Sequence, residues 1–200
     1  MRFICGLLVL LMLSACGRSQ LQPLPKEAVI LAFGDSLTHG TGAAAGEDYP
    51  AQLSRIIGHP VVNAGVPGET SAQGRARLVA TLDETQPKLV LLGLGGNDFL
   101  QRLPQEETEA NLTAMLVELK NRKIPVILLA VPKISLPPQP HPVFAEVAQQ
   151  ADVPLLEDEW TDILRKGSLK SDPVHPNAAG YAQFAQTMAD FLKAHGAIRD

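Results

Sequence analysis

Hydrophobic residues in this chain come in short unbroken runs separated by stretches with helical spacing. Ala28-Val29-Ile30-Leu31-Ala32-Phe33 is stopped by Gly34-Asp35, and further runs occur at Val61-Val62, Leu89 to Leu92, Val126 to Val131 and, weakly, Val153 to Leu156. Runs of this length predict strands buried on both faces rather than half-exposed ones. Between them apolar residues recur at helical spacing: Leu53, Ile56 and Ile57; Ala72, Ala76 and Val79; Leu112, Met115, Leu116 and Leu119; then Tyr181, Phe184, Ala185, Met188 and Leu192. Strand and helix in alternation imply right-handed crossovers and a five-stranded parallel sheet covered on both sides. Such sheets bind ligands just beyond the carboxyl ends of their strands.

The first residues follow a different pattern. Met1-Arg2 opens with a positive charge, and Phe3 to Leu13 is an apolar run of signal-peptide length, well short of the ~20 residues a membrane span needs. Leu13-Ser14-Ala15-Cys16 then resembles the lipobox of bacterial lipoproteins. The expectation is a signal peptide over residues 1–15, a lipidated Cys16, a tether over 16–27 and one domain over 28–200. On this reading Cys5 leaves with the signal and Cys16 carries lipid, so no thiol remains for a disulfide or a metal. The expected location is the cell envelope, facing the periplasm, and Gly17 after Cys16 points to the outer membrane.

Charge narrows the partners. The formal net charge is −4, becoming −5 once Arg2 is removed, and no block of like charges tracks along the chain. Nucleic acid is therefore not expected as a partner. No His or acidic pair has metal-ligand spacing, so neither a metal nor another cofactor is expected. A length of 200 residues suits a single core, and a monomer is expected.

The distinctive polar residues stand where the predicted strands end. Gly34-Asp35-Ser36-Leu37 follows the first, Asn63-Ala64-Gly65 the second and Gly95-Gly96-Asn97-Asp98 the third; Asp172-Pro173-Val174-His175 precedes the last helix. These four blocks, in this order, resemble the SGNH (GDSL-type) esterase and lipase superfamily, most closely its thioesterase I/lysophospholipase L1/arylesterase branch. The resemblance runs from about Ala28 to Leu192 and implies a three-layer α/β/α, flavodoxin-like fold. It also implies a serine esterase that cleaves acyl esters through an acyl-enzyme. The alternatives are an O-acetyl esterase of envelope carbohydrate or peptidoglycan and, in another class, a lipid-anchored binding protein without chemistry.

Acyl transfer needs a hydroxyl, a base within hydrogen-bond reach, a group that orients the base, and donors aimed at the developing oxyanion. Ser36, His175, Asp172 and Asn97 are groups of these kinds. Asp172 would bond Nδ1–H of His175, leaving Nε2 to take the Ser36 proton. The resemblance implies an oxyanion hole from the Ser36 N–H, the Gly65 N–H and the Asn97 amide, Gly65 allowing close approach of substrate to backbone. Pro176 suits the first position of the last helix, so His175 is expected to cap it. There the helix dipole would oppose imidazolium while Asp172 favours it.

Asp35, Asn63, Glu69, Thr70 and Asp98 read as scaffold, and His39, His59, His141 and His195 receive no role. Gly40-Thr41-Gly42-Ala43-Ala44-Ala45 formally fits a dinucleotide fingerprint but does not follow a strand directly, so that reading is set aside. By the resemblance, the acyl groove lies between residues 99–104 and 132–142; Leu100, Leu103, Ile134, Leu136 and Phe144 are apolar enough to be its walls and equally suited to the core. A small acyl ester or a lysophospholipid is the expected substrate, and the membrane a partner through Cys16.

Overall fold

The computed structural model describes residues 21–133 and 135–199. In chain order the elements are β1 (Ile30–Gly34), α1 (Ser36–His39), α2 (Tyr49–Ile57), β2 (Val61–Gly65), α3 (Ser71–Thr85), β3 (Leu89–Gly93), α4 (Gly96–Leu100), α5 (Gln105–Asn121), β4 (Val126–Leu129), β5 (Pro132–Lys133), β6 (Gln139–Pro140), α6 (Pro142–Ala151), β7 (Leu155–Leu156), α7 (Glu159–Arg165), a 3-10 turn (Gly167–Leu169) and α8 (Ala178–Ala194). Five strands form one parallel sheet in the order β2-β1-β3-β4-β7, as the alternating pattern predicts. The inner strands β1, β3 and β4 are buried throughout, whereas the edge strands β2 and β7 are half-exposed.

Two helices present the faces their spacing predicts: Leu112, Met115, Leu116 and Leu119 of α5, and Tyr181, Phe184, Ala185, Met188 and Leu192 of α8, are buried. The expected face of α3 is not the observed one. Ala72, Ala76 and Val79 face solvent, and Ser71, Gly74, Leu78 and Leu82 face the sheet. The rotation is set at the first turn. Thr70 and Gln73 form a reciprocal capping box, and the buried Ser71 is held by Asp98 through its N–H (2.8 Å) and hydroxyl (2.5 Å). Gly74 lies so close to Leu94 that a Cβ would stand 2.2 Å from Cδ1.

Three elements have no counterpart in the sequence reading: α6, although it buries Val143, Phe144, Val147 and Ala148 at helical spacing, the seven-residue α7, and the two-residue hairpin β5–β6 between β4 and α6. Trp160 of α7 stacks on Phe184 of α8 (centroids 3.6 Å, planes 7° apart) and meets Tyr49 of α2 edge-on at 5.8 Å. This cluster joins the helices on one face of the sheet. The described part of the expected tether packs on the domain: Leu21 N–H donates to His195 O (2.9 Å) and Leu24 N–H to Ala197 O (2.8 Å), and both leucines pack against the core. Among the described residues no helix is long and apolar enough to cross a membrane. Cys16 and the expected signal peptide lie outside the described residues.

Trp160 is fully buried in three-way aromatic contact, so Trp160→Ala should cost about 3–5 kcal/mol. Urea denaturation at neutral pH measures this as a lowered midpoint with an unchanged slope.

Candidate active site

The site is assembled from loops at the carboxyl edge of the sheet. β1 ends at Gly34, and Asp35 caps α1 by accepting the Leu37 N–H at 3.0 Å, which puts Ser36 first in the helical turn. Gly34 is required by packing, since a Cβ there would lie 2.2 Å from Thr38 Oγ1 and 2.5 Å from Gly93 O. The Ser36 N–H makes no hydrogen bond among the described residues.

His175 approaches from the far end of the chain. Its Nε2 lies 3.0 Å from Ser36 Oγ, and its Nδ1 lies 2.8 Å from Asp172 Oδ2. A carboxylate only accepts, so Nδ1 carries the hydrogen and Nε2 is left to accept from the serine hydroxyl. The other Asp172 oxygen accepts the N–H groups of Val174 and His175, both at 2.8 Å. Burial pushes the Asp172 carboxyl up, but the His175 ring and these two N–H groups outweigh it and hold the group below its ordinary range.

The loop carrying this pair differs from expectation at one point. Asn177, not His175, caps α8, accepting the Gly180 N–H at 3.1 Å, and Pro176 pairs with Lys170 in an isolated bridge. His175 therefore sits two residues ahead of the cap rather than at it. The loop is fixed instead by Ser171, whose N–H donates to His175 O (2.9 Å) and whose hydroxyl donates to Pro176 O (3.1 Å). Ser171 packs against Gly42, where a Cβ would stand 2.1 Å from its hydroxyl oxygen. The glycine-rich stretch after α1 is thus the floor on which the catalytic-type loop rests.

Asn97, in the first turn of α4, donates through Nδ2 to Glu69 O at 2.9 Å and to Asp35 Oδ2 at 3.3 Å. Gly65 is placed otherwise than expected. Its N–H donates to Asn63 Oδ1 at 3.0 Å, and a Cβ on it would stand 2.2 Å from the His39 backbone nitrogen. Its lack of a side chain lets α1 pack on β2, and its N–H is taken. A free N–H in the same loop belongs to Gly68, the residue before Glu69, whose carbonyl holds Asn97: it makes no hydrogen bond among the described residues, and Gly68 holds a left-handed φ of 80° in an open, exposed position. The sequence offers two glycines in this stretch, and the expected role falls on Gly65, at the end of the second predicted strand, rather than on Gly68 three residues later.

A second omission is Arg77. Its guanidinium lies 3.9 Å above the Phe33 ring, pairs with Glu69 at 2.5 and 2.6 Å, and donates to Ala64 O at 2.9 Å. It pins the 66–69 loop, and with it the carbonyl that holds Asn97, onto the ends of β1 and β2. Only its place on the Gly74–Leu78 face of α3 distinguishes it in the sequence. Asp98, read as scaffold, is buried and ties α3 to α4 and α5 through Ser71 and Thr108.

Beside Ser36 opens a cavity of about 250 Å³. Leu37, Leu100, Val131, Leu136, Leu164 and Val174 form apolar walls, and Lys133 and Lys170 also line the cavity, the Lys170 amine donating to Leu164 O at 3.3 Å. Of the wall candidates, Leu100 and Leu136 are there; Leu103 is not part of the lining, Phe144 is buried in the core, and Ile134 lies outside the described residues. His141 caps α6 and stacks on Phe99 at 3.9 Å, bracing α4 from behind. Among the described residues no group of three or more His, Cys, Asp or Glu could hold a metal. A hydroxyl bonded to an oriented imidazole, free N–H donors nearby and an apolar cavity at the same point can accept an acyl group from an ester.

Residues 32–183 match the model of the GDSL-like lipase/acylhydrolase family. The chain is 33% identical over 175 residues to the Escherichia coli thioesterase 1/protease 1/lysophospholipase L1, covering 82% of this chain and 83% of that protein. It is 27% identical over 180 residues to the Vibrio mimicus arylesterase, covering 83% and 88% respectively. Among solved structures it superposes on the psychrotrophic esterase EstA of Pseudoalteromonas sp., in a form inhibited by monoethylphosphonate, with a TM-score of 0.74, 25% identity and coverage of 84% of this chain and 97% of that one.

Asp35 supplies a pH-dependent prediction. Burial, only partly offset by the Leu37 N–H, raises its pKa from 3.8 to about 7. The folded state therefore holds a proton that the unfolded chain releases, so the stability linked to this group is complete below pH ~4 and is lost as pH rises through about 7. Asp35→Asn should gain in melting temperature over the native chain as pH rises from 5 to 8. Parallel melting curves at the two values check this; a constant difference would contradict it.

Proposed function

The chain belongs to the GDSL-like lipase/acylhydrolase family and is a carboxylic ester hydrolase; from that premise we propose that Ser36, His175 and Asp172 carry out the hydrolysis of esters with apolar acyl chains. The observation that supports this reading best is the unbroken relay from Asp172 Oδ2 through His175 to Ser36 Oγ beside an apolar cavity. Nε2 of His175 takes the Ser36 proton as Oγ bonds to the ester carbonyl carbon. The resulting imidazolium stays paired with Asp172. The carbonyl oxygen becomes an oxyanion facing the N–H groups of Ser36 and Gly68 and the Asn97 amide. For that, the long Asn97 contact to Asp35 is the one exchanged, while the shorter bond to Glu69 O keeps the amide in place.

As the tetrahedral species collapses, the bond to the leaving oxygen or sulfur breaks and His175 returns its proton to that atom. Water then attacks the acyl-Ser36 carbonyl, His175 again taking and returning one proton, to release the carboxylic acid. The apolar walls take the acyl chain. Leu100, Leu136 and Val174 are among the few large apolar side chains exposed in this domain, and all three rim the cavity. Amphiphilic monoacyl esters of the lysophospholipid kind combine an apolar chain with an accessible carbonyl and fit this opening.

The proposal extends to the envelope: residues 1–15 are removed and Cys16 is lipidated, holding a monomeric domain on the periplasmic side of a membrane. Gly17 favours the outer one.

The chain from Arg18 onward, assayed on p-nitrophenyl esters from acetyl to palmitoyl, tests the chemistry. Ser36→Ala and His175→Ala should each lower kcat by at least about 10⁴-fold, and Asn97→Ala by about 10²–10³-fold. The rate should rise from acetate to a longer acyl group. Full activity in Ser36→Ala would refute the assignment, and cleavage of acetate alone would replace the acyl groove with an acetyl pocket.

A further inference from the structure

Resting on the reading of Cys16 as a lipid anchor, we propose that the amino-end pole of the sheet is the face this protein turns toward its own membrane, so that the mouth of the active site points away from that bilayer. The chain enters the domain at Leu21, which lines an apolar groove between α5 and α6 together with Leu116, Ile124 and Val147. Val117, in the same groove, is 51% exposed. At the same pole the N–H groups of Leu21 and Leu24 donate to the carbonyls of His195 and Ala197, just past the end of α8, and the chain continues into β1. Every residue of this path lies at the starts of the strands. Ser36, Asn97 and the Asp172–His175 loop lie beyond their ends.

Lengths decide what the anchor allows. Cys16 and Leu21 are five residues apart, a span of at most about 17 Å. The 17 residues of α5 run from beside the site down to the amino end, about 25 Å. With α5 upright on the bilayer and the cavity mouth against it, Leu21 would stand farther from that bilayer than its link to Cys16 reaches. Docking of Leu21 and Leu24 removes the slack that a free tether through Lys26 would supply. The groove with Val117 at its rim then lies against the lipid surface. The ester reaches Ser36 from the aqueous space or from a facing layer, not from acyl chains in the anchoring leaflet.

The test uses the mature, lipidated protein in vesicles containing a lipid-borne quencher, with a fluorophore on Val117→Cys or Leu136→Cys. Quenching several-fold stronger at position 117 than at 136 is expected, and equal or stronger quenching at 136 would overturn the orientation. The intact mass of the same preparation reports the anchor separately, and a Cys16 without lipid would remove both the anchor and the orientation. Inserting about 15 Gly/Ser residues after Gln20, which adds roughly 20 Å of mean reach, should raise cleavage of a vesicle-embedded acyl ester several-fold and leave a soluble ester unaffected. No gain on the embedded ester would count against the geometry.

Discussion

The contact between Ser36 and His175 spans 139 positions of sequence with a single 3.0 Å hydrogen bond, and the fold is arranged so that it closes. Ser36 is fixed by its place one residue past β1 in a helical turn capped by Asp35. His175 is fixed by a loop that bonds to itself through Ser171, Asp172 and Asn177 and rests on Gly42. The floor beneath that loop is held in turn by Tyr181 of α8, whose hydroxyl donates to Thr41 O at 2.8 Å. Packing of α2 and α7 on α8 through Tyr49, Trp160 and Phe184 therefore sets the distance between base and nucleophile. A shift of ~1 Å at this interface would be felt in the chemistry.

A second set of constraints surrounds the carbonyl-facing side. Glu69 has its carboxylate bonded to Arg77 and its carbonyl bonded to Asn97, so one residue transmits the position of α3 to the amide of α4. Asp35, buried between Leu37 and Asn97, brings a carboxyl close to the point where negative charge develops. Burial, which raises its pKa to about 7, lessens the repulsion that a fully ionised carboxylate would impose on the transition state.

Much of this was legible in the residues. Continuous apolar runs marked the five strands because the inner ones are buried on both faces, and α5 and α8 showed their faces because they are long. Ser36, Asn97, Asp172 and His175 were visible as polar residues at strand ends, where a parallel sheet collects its chemistry. What escaped depends on contacts between distant segments. The face of α3 is set by Asp98 and Leu94 rather than by its own apolar spacing. Gly65 and Gly68 are alike in the sequence, yet one carries α1 on its bare Cα and the other offers a free N–H. The start of α8 was misjudged because Pro176 suits a first turn, while Asn177 makes the cap that forms. Arg77 carries no motif at all.

Acylation at Ser36 is the step on which all of this chemistry turns. A p-nitrophenyl phosphonate ester, which leaves a stable phosphonyl group on an attacking serine, reports this directly when p-nitrophenolate release is counted and the modified peptide is sequenced by mass spectrometry. One p-nitrophenolate per chain and a phosphonyl group on Ser36, both absent from Ser36→Ala, are the predicted result. Stoichiometric modification of another residue, or none in a chain that still hydrolyses esters, would contradict the account.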